Sequence, residues 1–187
     1  MNWGPSLFNI ILVLLLYESF HAYFYFKSKE VRREGKISIR VLNMNEENAI
    51  TLNSLFFRNS IVFLSDKLND RILRHEEGHT KQLNYIYVFL LAVAALLPVI
   101  SNFTIPAVLL GVLLGKFLLW HMERAADLYA YTKYNIKYES AAVRPKRIER
   151  LKSWILDSHP PDWVRAKEEY YEKKNSLIKL LLRDLLS

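Results

Sequence analysis

The chain has 187 residues, 51% of them hydrophobic, and its 26 basic and 19 acidic side chains give a formal net charge of +7. It contains no cysteine, which excludes disulfides and thiolate metal ligands, and it shows no repeat or low-complexity linker that would divide it into several domains. Long apolar runs make a membrane surface a better explanation of the basic surplus than a nucleic acid. We therefore predict one membrane-embedded domain over residues 1–187 and no nucleic-acid partner.

The first predicted element is a membrane-spanning helix over about residues 4–26. No Lys or Arg precedes it, whereas six basic residues follow it between Lys27 and Arg40. Positive residues mark the cytoplasmic side of a membrane protein, so the N-terminus is expected outside. Glu18 and His21 lie three residues apart on one face of this helix. They either pair with each other, face the catalytic cavity or reach the head-group region.

Residues 36–83 are predicted to form the first part of a unit outside the membrane, beginning with a short sheet. One strand covers 36–42, where apolar residues alternate, and the apolar groups 55–57 and 61–63 flank a turn. An exposed edge strand would suit an extended polypeptide substrate, but the sequence does not identify which strand is the edge. Asp66 or Asn69 is the expected cap of the next helix, which should continue without a break into a second membrane span.

That helix contains the pentapeptide His75-Glu76-Glu77-Gly78-His79. Histidines at i and i+4 face the same side of a helix and can share one Zn²⁺ ion. Glu76 lies about 100° further round the helix and can reach the water that the metal acidifies, whereas Glu77 lies about 200° away and should not take part. The alternative is a solvated helix face with two surface histidines.

Two further apolar runs predict a helical hairpin that crosses the membrane over about residues 84–100 and 103–120, with its turn at Ser101-Asn102. His79 lies about 22 residues before this turn and Glu123 about 22 after it, so two antiparallel helices bring them to one height. Counting about 26 residues on either side of the turn likewise sets His75 level with Asp127. Glu123 is therefore the expected third zinc ligand, and Asp127 the expected acceptor for the second ring N–H of His75.

Other features of the second half are less specific. His121 points away from the face of Glu123 and is the weaker candidate ligand. Gly111 and Gly115 form a GxxxG pattern that favours close helix contact, within the chain or between two chains. Residues 121–187 complete the catalytic unit as helices, with Pro145 opening a helix over 146–156 and Asp162 capping a long basic segment. Its amphipathic end either lies on the membrane surface or packs on the catalytic unit.

Three motifs carry a resemblance to a known family. The pentapeptide and Glu123-Arg124-Ala125-Ala126-Asp127-Leu128-Tyr129-Ala130 resemble the two zinc motifs of the membrane-integral gluzincins, the peptidase family of the heat-shock protease HtpX and the CAAX prenyl protease. Those enzymes also insert a membrane hairpin between the two motifs. Ser158-His159-Pro160-Pro161, followed by Arg165, resembles the family's C-terminal His-Pro element, and segments 48–50 and 60–68 resemble its strands. The resemblance covers roughly residues 48–170.

The resemblance implies a role for each matching side chain. It implies one Zn²⁺ per chain on the three ligands named above, with Glu76 as general base and then general acid, and Asp127 as support for the first histidine. It also implies that His159 stabilises the oxyanion and that Arg165 organises that corner of the cleft. His159 is alternatively a surface residue before a helix start.

The expected protein is an α+β integral membrane protein with three transmembrane helices and a small gluzincin-like catalytic unit, made of a short sheet plus helices. The catalytic site and the C-terminus are expected on the cytoplasmic side. The expected activity is that of a zinc metalloendopeptidase acting on membrane or misfolded polypeptides. The alternatives are a non-proteolytic zinc-containing membrane regulator or scaffold and, less in keeping with so short a chain, CAAX-type prenyl-protein processing. The oligomeric state stays open.

Overall fold

The computed structural model describes residues 4–82, 84–96, 105–140 and 143–187, and over these residues the chain has an α+β architecture. Eight helices are described, of which three have more than ten residues. The helices are α1 (Gly4–Lys27), α2 (Asp70–His79), α3 (Tyr85–Leu96), α4 (Ile105–Tyr134), α5 (Arg147–Leu156), α6 (Asp162–Arg165), α7 (Glu168–Tyr171) and α8 (Leu177–Leu186). The strands are β1 (Lys29–Glu34), β2 (Ile37–Val41), β3 (Ala49–Leu52) and β4 (Ser60–Phe63).

The four strands form one sheet in the order β1-β2-β4-β3. β2 pairs with β1 in an antiparallel hairpin and with β4 in parallel, while β3 pairs antiparallel with β4 and forms one edge of the sheet. Apolar side chains of β2 and β4 pack with Leu73 of α2 in a buried cluster. The sheet therefore supports the helix that carries the pentapeptide.

The strands agree with the sequence in part. β2 and β4 confirm the strands expected over 36–42 and 61–63, but the strand expected over 55–57 is wrong. The backbone N–H of Leu55 donates to the Glu18 carboxylate, and those of Phe56 and Phe57 donate to the Ser54 hydroxyl. Side-chain acceptors therefore take the donors that a sheet ladder would need.

Two helices are long and apolar enough to cross a membrane: α1 and the part of α4 from Pro106 to Tyr134. Only 11% of the most apolar window of each is buried, so their apolar side chains are mostly left outside the protein. The span expected over 84–100 is described only as the 12 residues of α3, which rise about 18 Å against a hydrocarbon core of about 30 Å. Two described helices, not three, therefore reach the length of a span, and the expected turn at Ser101-Asn102 lies outside the described residues.

The pentapeptide helix is capped as expected but ends earlier. Asn69 caps α2 by accepting a hydrogen bond from the N–H of Arg71, which confirms one of the two expected caps. The expected continuous run into the next helix is wrong, because α2 ends at His79. Asn53 donates to the His79 carbonyl, and Asn84 accepts from the N–H of Tyr87 to begin α3. These amide side chains satisfy the backbone groups that two helix ends leave free.

After α4, the described residues form four short helices, where the sequence predicted one helix and one long basic segment. α5 confirms the helix expected after Pro145, but the long basic segment expected from Asp162 is divided into α6, α7 and α8. Buried Asn175 donates to the Glu169 carbonyl, and Ser176 caps α8 by accepting from the N–H of Lys179. One face of α8 is buried against the catalytic unit through Leu177 and Leu180. The packing alternative for the tail is thus confirmed for that face.

Candidate metal centre

The close approach of α2 and α4 depends on the glycine of the pentapeptide. A Cβ atom added to Gly78 would lie 2.7 Å from the Cα atom of Ala126, a residue that is completely buried. Only a glycine opposite a small residue lets two helix backbones come this near. The second motif supplies that small residue, and this role of Gly78 depends on a contact between helices that the sequence does not show.

This approach brings His75, His79 and Glu123 together, so that one ligand atom from each lies within 4.8 Å of the others. Nε2 of His75 lies 3.3 Å and Nε2 of His79 lies 3.4 Å from the Glu123 carboxylate oxygens, and the two nitrogens are 3.2 Å apart. A tetrahedral Zn²⁺ with bonds of about 2.0–2.1 Å separates its ligand atoms by about 3.3–3.4 Å. The three side chains could therefore hold a single metal ion, and the level placement of His79 with Glu123 is confirmed.

Asp127 connects the histidines to the C-terminal helices. Its carboxylate accepts a 2.8 Å hydrogen bond from Nδ1 of His75, as the helix count indicated. It also accepts two 2.8 Å bonds from Arg165 and a 3.0 Å bond from the Tyr170 hydroxyl. With its proton held on Nδ1, His75 presents the lone pair of Nε2 to the other two ligands. The sequence gave no sign of Tyr170, which lies 43 residues from Asp127.

Arg165 lines the cleft and supports Asp127. Its side chain is buried, its guanidinium is bound bidentately to Asp127, and it lies 4.0 Å over the ring of Tyr138. Arg165 therefore holds in place the carboxylate that accepts from His75. The side-chain amide nitrogen of Gln82 lies 2.7 Å from Nδ1 of His79 and donates a hydrogen bond to the Met122 carbonyl.

Two carboxylates lie beside His75. Burial by itself lowers the pKa of His75, but hydrogen bonds to Asp127 and Glu123 outweigh it and raise the pKa to about 10. The same carboxylates would favour a divalent cation bound beside this imidazole.

Glu76 faces the sheet and the cleft. Its carboxylate is almost fully buried and accepts a 2.6 Å hydrogen bond from the Thr51 hydroxyl on the edge strand β3. Glu76 lines the same cleft as His75 and Glu123, so it stands beside the metal-binding atoms without being one of them. The hydrogen bond from Thr51 to Glu76 could not be predicted, because no local sequence pattern links a strand residue to a helix residue 25 positions later.

The cleft has a volume of about 620 Å³ and includes the His-Pro element in its wall. His159 lines it together with His75, Glu76 and Glu123, and Nδ1 of His159 lies 3.3 Å from the Pro160 carbonyl. His159 also comes just before α6, and its oxyanion role stays a prediction. The structure thus brings the third motif to the same cleft as the other two.

The remaining ionisable candidates lie elsewhere. His121 is exposed, and its ring lies 6.3 Å from that of Tyr85. Glu18 is buried and accepts hydrogen bonds from the Ser54 hydroxyl and from the N–H of Leu55, so it anchors the loop after β3. Nδ1 of His21 donates to the Tyr17 carbonyl of its own helix. Of the GxxxG glycines, Gly115 packs against Phe89 of α3 within the chain.

Glu77 is held on the opposite side of α2 from the cleft. Its carboxylate accepts hydrogen bonds from two tyrosines, Tyr129 and Tyr134, and from Lys133 and Arg74. Burial by itself raises the pKa of Glu77, but these four bonds outweigh it and lower the pKa to about 2 from an ordinary value of 4.5. These bonds hold the Glu77 carboxylate on the side of α2 away from His75, as its angle of about 200° from His75 on the helix predicts.

Replacing Glu77 by Gln should therefore lower the melting temperature in a pH-dependent way. A depressed pKa contributes stability above the unfolded value and loses it as the pH falls through the folded value. We expect a cost of about 2 kcal/mol near pH 7 that fades between about pH 4.5 and pH 2. Thermal unfolding in detergent across this range measures it, with the exposed Glu46→Gln as control. A constant difference down to the acid end would contradict the network.

Comparisons with models of known protein families, with curated proteins and with solved structures give no match for this chain. The resemblance to the membrane-integral gluzincins stays a prediction that rests on the three motifs.

Proposed function

We propose that the chain is a membrane-bound zinc metalloendopeptidase of the gluzincin type. The observation that carries the proposal is the meeting of His75, His79 and Glu123, whose ligand atoms lie within 4.8 Å of one another, with Glu76 in the same cleft. A structural zinc site is closed by four protein ligands, whereas a catalytic site keeps one position open. Three described ligands and an adjacent carboxylate favour catalysis over the regulator or scaffold alternative.

In this proposal, each residue has a defined part in peptide hydrolysis. Bound zinc supplies a Lewis acid that lowers the pKa of its water and polarises the scissile carbonyl. Glu76 takes the proton of the attacking water and delivers it to the leaving amine, and the Thr51 hydroxyl holds its carboxylate in place. His159, on the cleft wall, donates to the developing oxyanion of the substrate.

The edge strand β3 gives the proposal its substrate class. One side of β3 pairs with β4, and its first residue, Ala49, lines the cleft together with the preceding Asn48. An extended polypeptide can add to such an edge by main-chain hydrogen bonds, which requires a substrate that is locally unfolded. Membrane or misfolded proteins meet that condition, and prenyl-protein processing is the less favoured substrate.

The proposed location is a bilayer crossed by α1, by the segment over about residues 84–100 that contains α3, and by α4. Basic residues follow α1 and cluster in the C-terminal helices, which favours the cytoplasmic side for both, with the N-terminus outside. Glu123 follows the most apolar part of α4, so the cleft would open just beyond the lipid. Its substrates would come from the membrane or from its cytoplasmic surface.

Removal and restoration of the metal tests the proposed function. The purified full chain in detergent should cleave an unfolded fluorogenic casein, lose that activity with 1,10-phenanthroline, and recover it when the chelator is removed and stoichiometric Zn²⁺ is added. The non-chelating isomer 1,7-phenanthroline is the matched control and should leave cleavage unchanged. Cleavage that persists after the zinc has been removed would exclude the proposed mechanism.

A further inference from the structure

α5 and α8 both leave an apolar face without a protein partner among the described residues. On α5, Ile148, Leu151 and Ile155 lie at i, i+3 and i+7 and are exposed, while Trp154 on the opposite side is buried. On α8, Ile178, Leu182 and Leu186 lie at i, i+4 and i+8 and are exposed. Each helix thus has one face against the catalytic unit and a second apolar face directed outward.

The two helices are fixed to each other and to the catalytic unit. Buried Asp184 of α8 accepts hydrogen bonds from the indole N–H of Trp154 on α5 and from that of Trp163 on α6. Arg144 and Arg150 bind the same residue through its carboxylate and carbonyl. The outward apolar faces therefore belong to helices that are fixed in position by hydrogen bonds.

The height of α5 along α4 indicates what these faces meet. The Lys116 ammonium donates a hydrogen bond to the carbonyl of Asp157, the residue that ends α5, and the rings of Trp120 and Trp154 lie 5.1 Å apart. Lys116 precedes Glu123 by seven residues, which is about 10 Å along the helix toward its apolar end. The C-terminal end of α5 thus lies on the membrane side of the metal centre, next to the exposed apolar residues of α4.

The charges beside these faces suit the same surroundings. Lys152 lies within the exposed face of α5, and Lys179 and Arg183 border that of α8. Basic side chains that flank an apolar helix face bind the head groups of a bilayer while the apolar residues enter it by about 5–10 Å.

We infer that α5 and α8 form a second, monotopic membrane contact, which inserts their outward faces into the cytoplasmic leaflet of the bilayer that α1 and α4 cross. The inference rests on the proposed membrane crossing. It gives the catalytic unit a fixed orientation, in which the cleft is held at the lipid surface. A substrate segment would then need to leave the bilayer by only a short distance to reach β3.

Site-directed labelling tests the contact, and the absence of cysteine from the chain makes every introduced thiol unique. The full chain is reconstituted in phosphatidylcholine–phosphatidylglycerol vesicles and labelled with an environment-sensitive fluorophore at Ile155→Cys or Leu182→Cys. Leu113→Cys on the exposed side of α4 is the reference for lipid, and exposed Glu46→Cys is the reference for water. Quenching by nitroxide lipids and by aqueous iodide is measured for each label.

The expected result is that nitroxide lipids quench the labels at 155 and 182, that these labels are shallower than the one at 113, and that iodide reaches them less than the label at 46. Quenching by iodide alone, or protection from both quenchers by a protein partner or second copy, would overturn the inference while the label at 113 still reports the crossing. If nitroxide lipids also fail at 113, the proposed crossing fails together with the inference.

Discussion

Glu76→Gln should abolish proteolysis while leaving the metal in place. The amide has nearly the volume of the carboxylate, but it cannot accept the proton of the attacking water. Loss of a general base typically lowers the rate by about 10²–10⁴-fold, so cleavage of unfolded casein should fall to near background. Because Glu76 is not among the three metal-binding side chains, zinc content should equal that of the unaltered protein.

The control for this variant is Glu46→Gln, an exposed change that should retain full activity. Equal cleavage by Glu76→Gln and by the unaltered protein would contradict the catalytic assignment. It would leave the non-proteolytic regulator or scaffold as the better account of the same metal group.

Gly78→Ala should separate α2 from α4 and empty the metal centre. The added methyl group would lie 2.7 Å from the Ala126 backbone, and backbone cannot rotate away as a side chain can. Overpacking of this kind costs typically about 1–3 kcal/mol, which exceeds the gain of about 1 kcal/mol that alanine brings to a helix interior. We expect a lower melting temperature, a large loss of bound zinc and a parallel loss of proteolysis.

Gly111→Ala is the matched control for that variant. Gly111 also lies in a helix, but a Cβ atom there would meet nothing within 4 Å. Helix propensity then acts alone, so this variant should be as stable as the unaltered protein or slightly more stable, with full zinc content. If both variants retained zinc equally, the close packing of the two motif helices would not be what assembles the site.

The three metal-binding residues could be predicted from the sequence for two reasons. The two histidines are set by spacing along one helix, and Glu123 is set by counting residues on either side of the hairpin turn. His75 and His79 are a helical turn apart, and the hairpin count placed Glu123 and Asp127 opposite them even though the pentapeptide helix is interrupted. Although α2 ends at His79, His75 and His79 stay at the heights of Asp127 and Glu123, because α2 and α4 still pack side by side.

The features that could not be predicted from the sequence mostly depend on contacts between residues that are far apart in the chain. Thr51 reaches Glu76 only because β3 occupies the edge of the sheet beside α2. β1 was missed because its sequence is almost entirely charged and mostly exposed, so it lacks the apolar alternation of a half-buried strand. Arg165 was recognised by motif, but its buried pairing with Asp127 could not be read from the sequence, because the two residues lie 38 positions apart.

Metal analysis of the purified full chain tests the central assignment most directly. The unaltered protein should hold close to one zinc ion per chain. Zinc is measured by inductively coupled plasma mass spectrometry after dialysis against metal-free buffer. Glu123→Ala should hold almost none, whereas His121→Ala, two residues away on the same helix but outside the metal group, should hold as much as the unaltered protein. Equal zinc in Glu123→Ala and the unaltered protein, or none in either, would contradict the account.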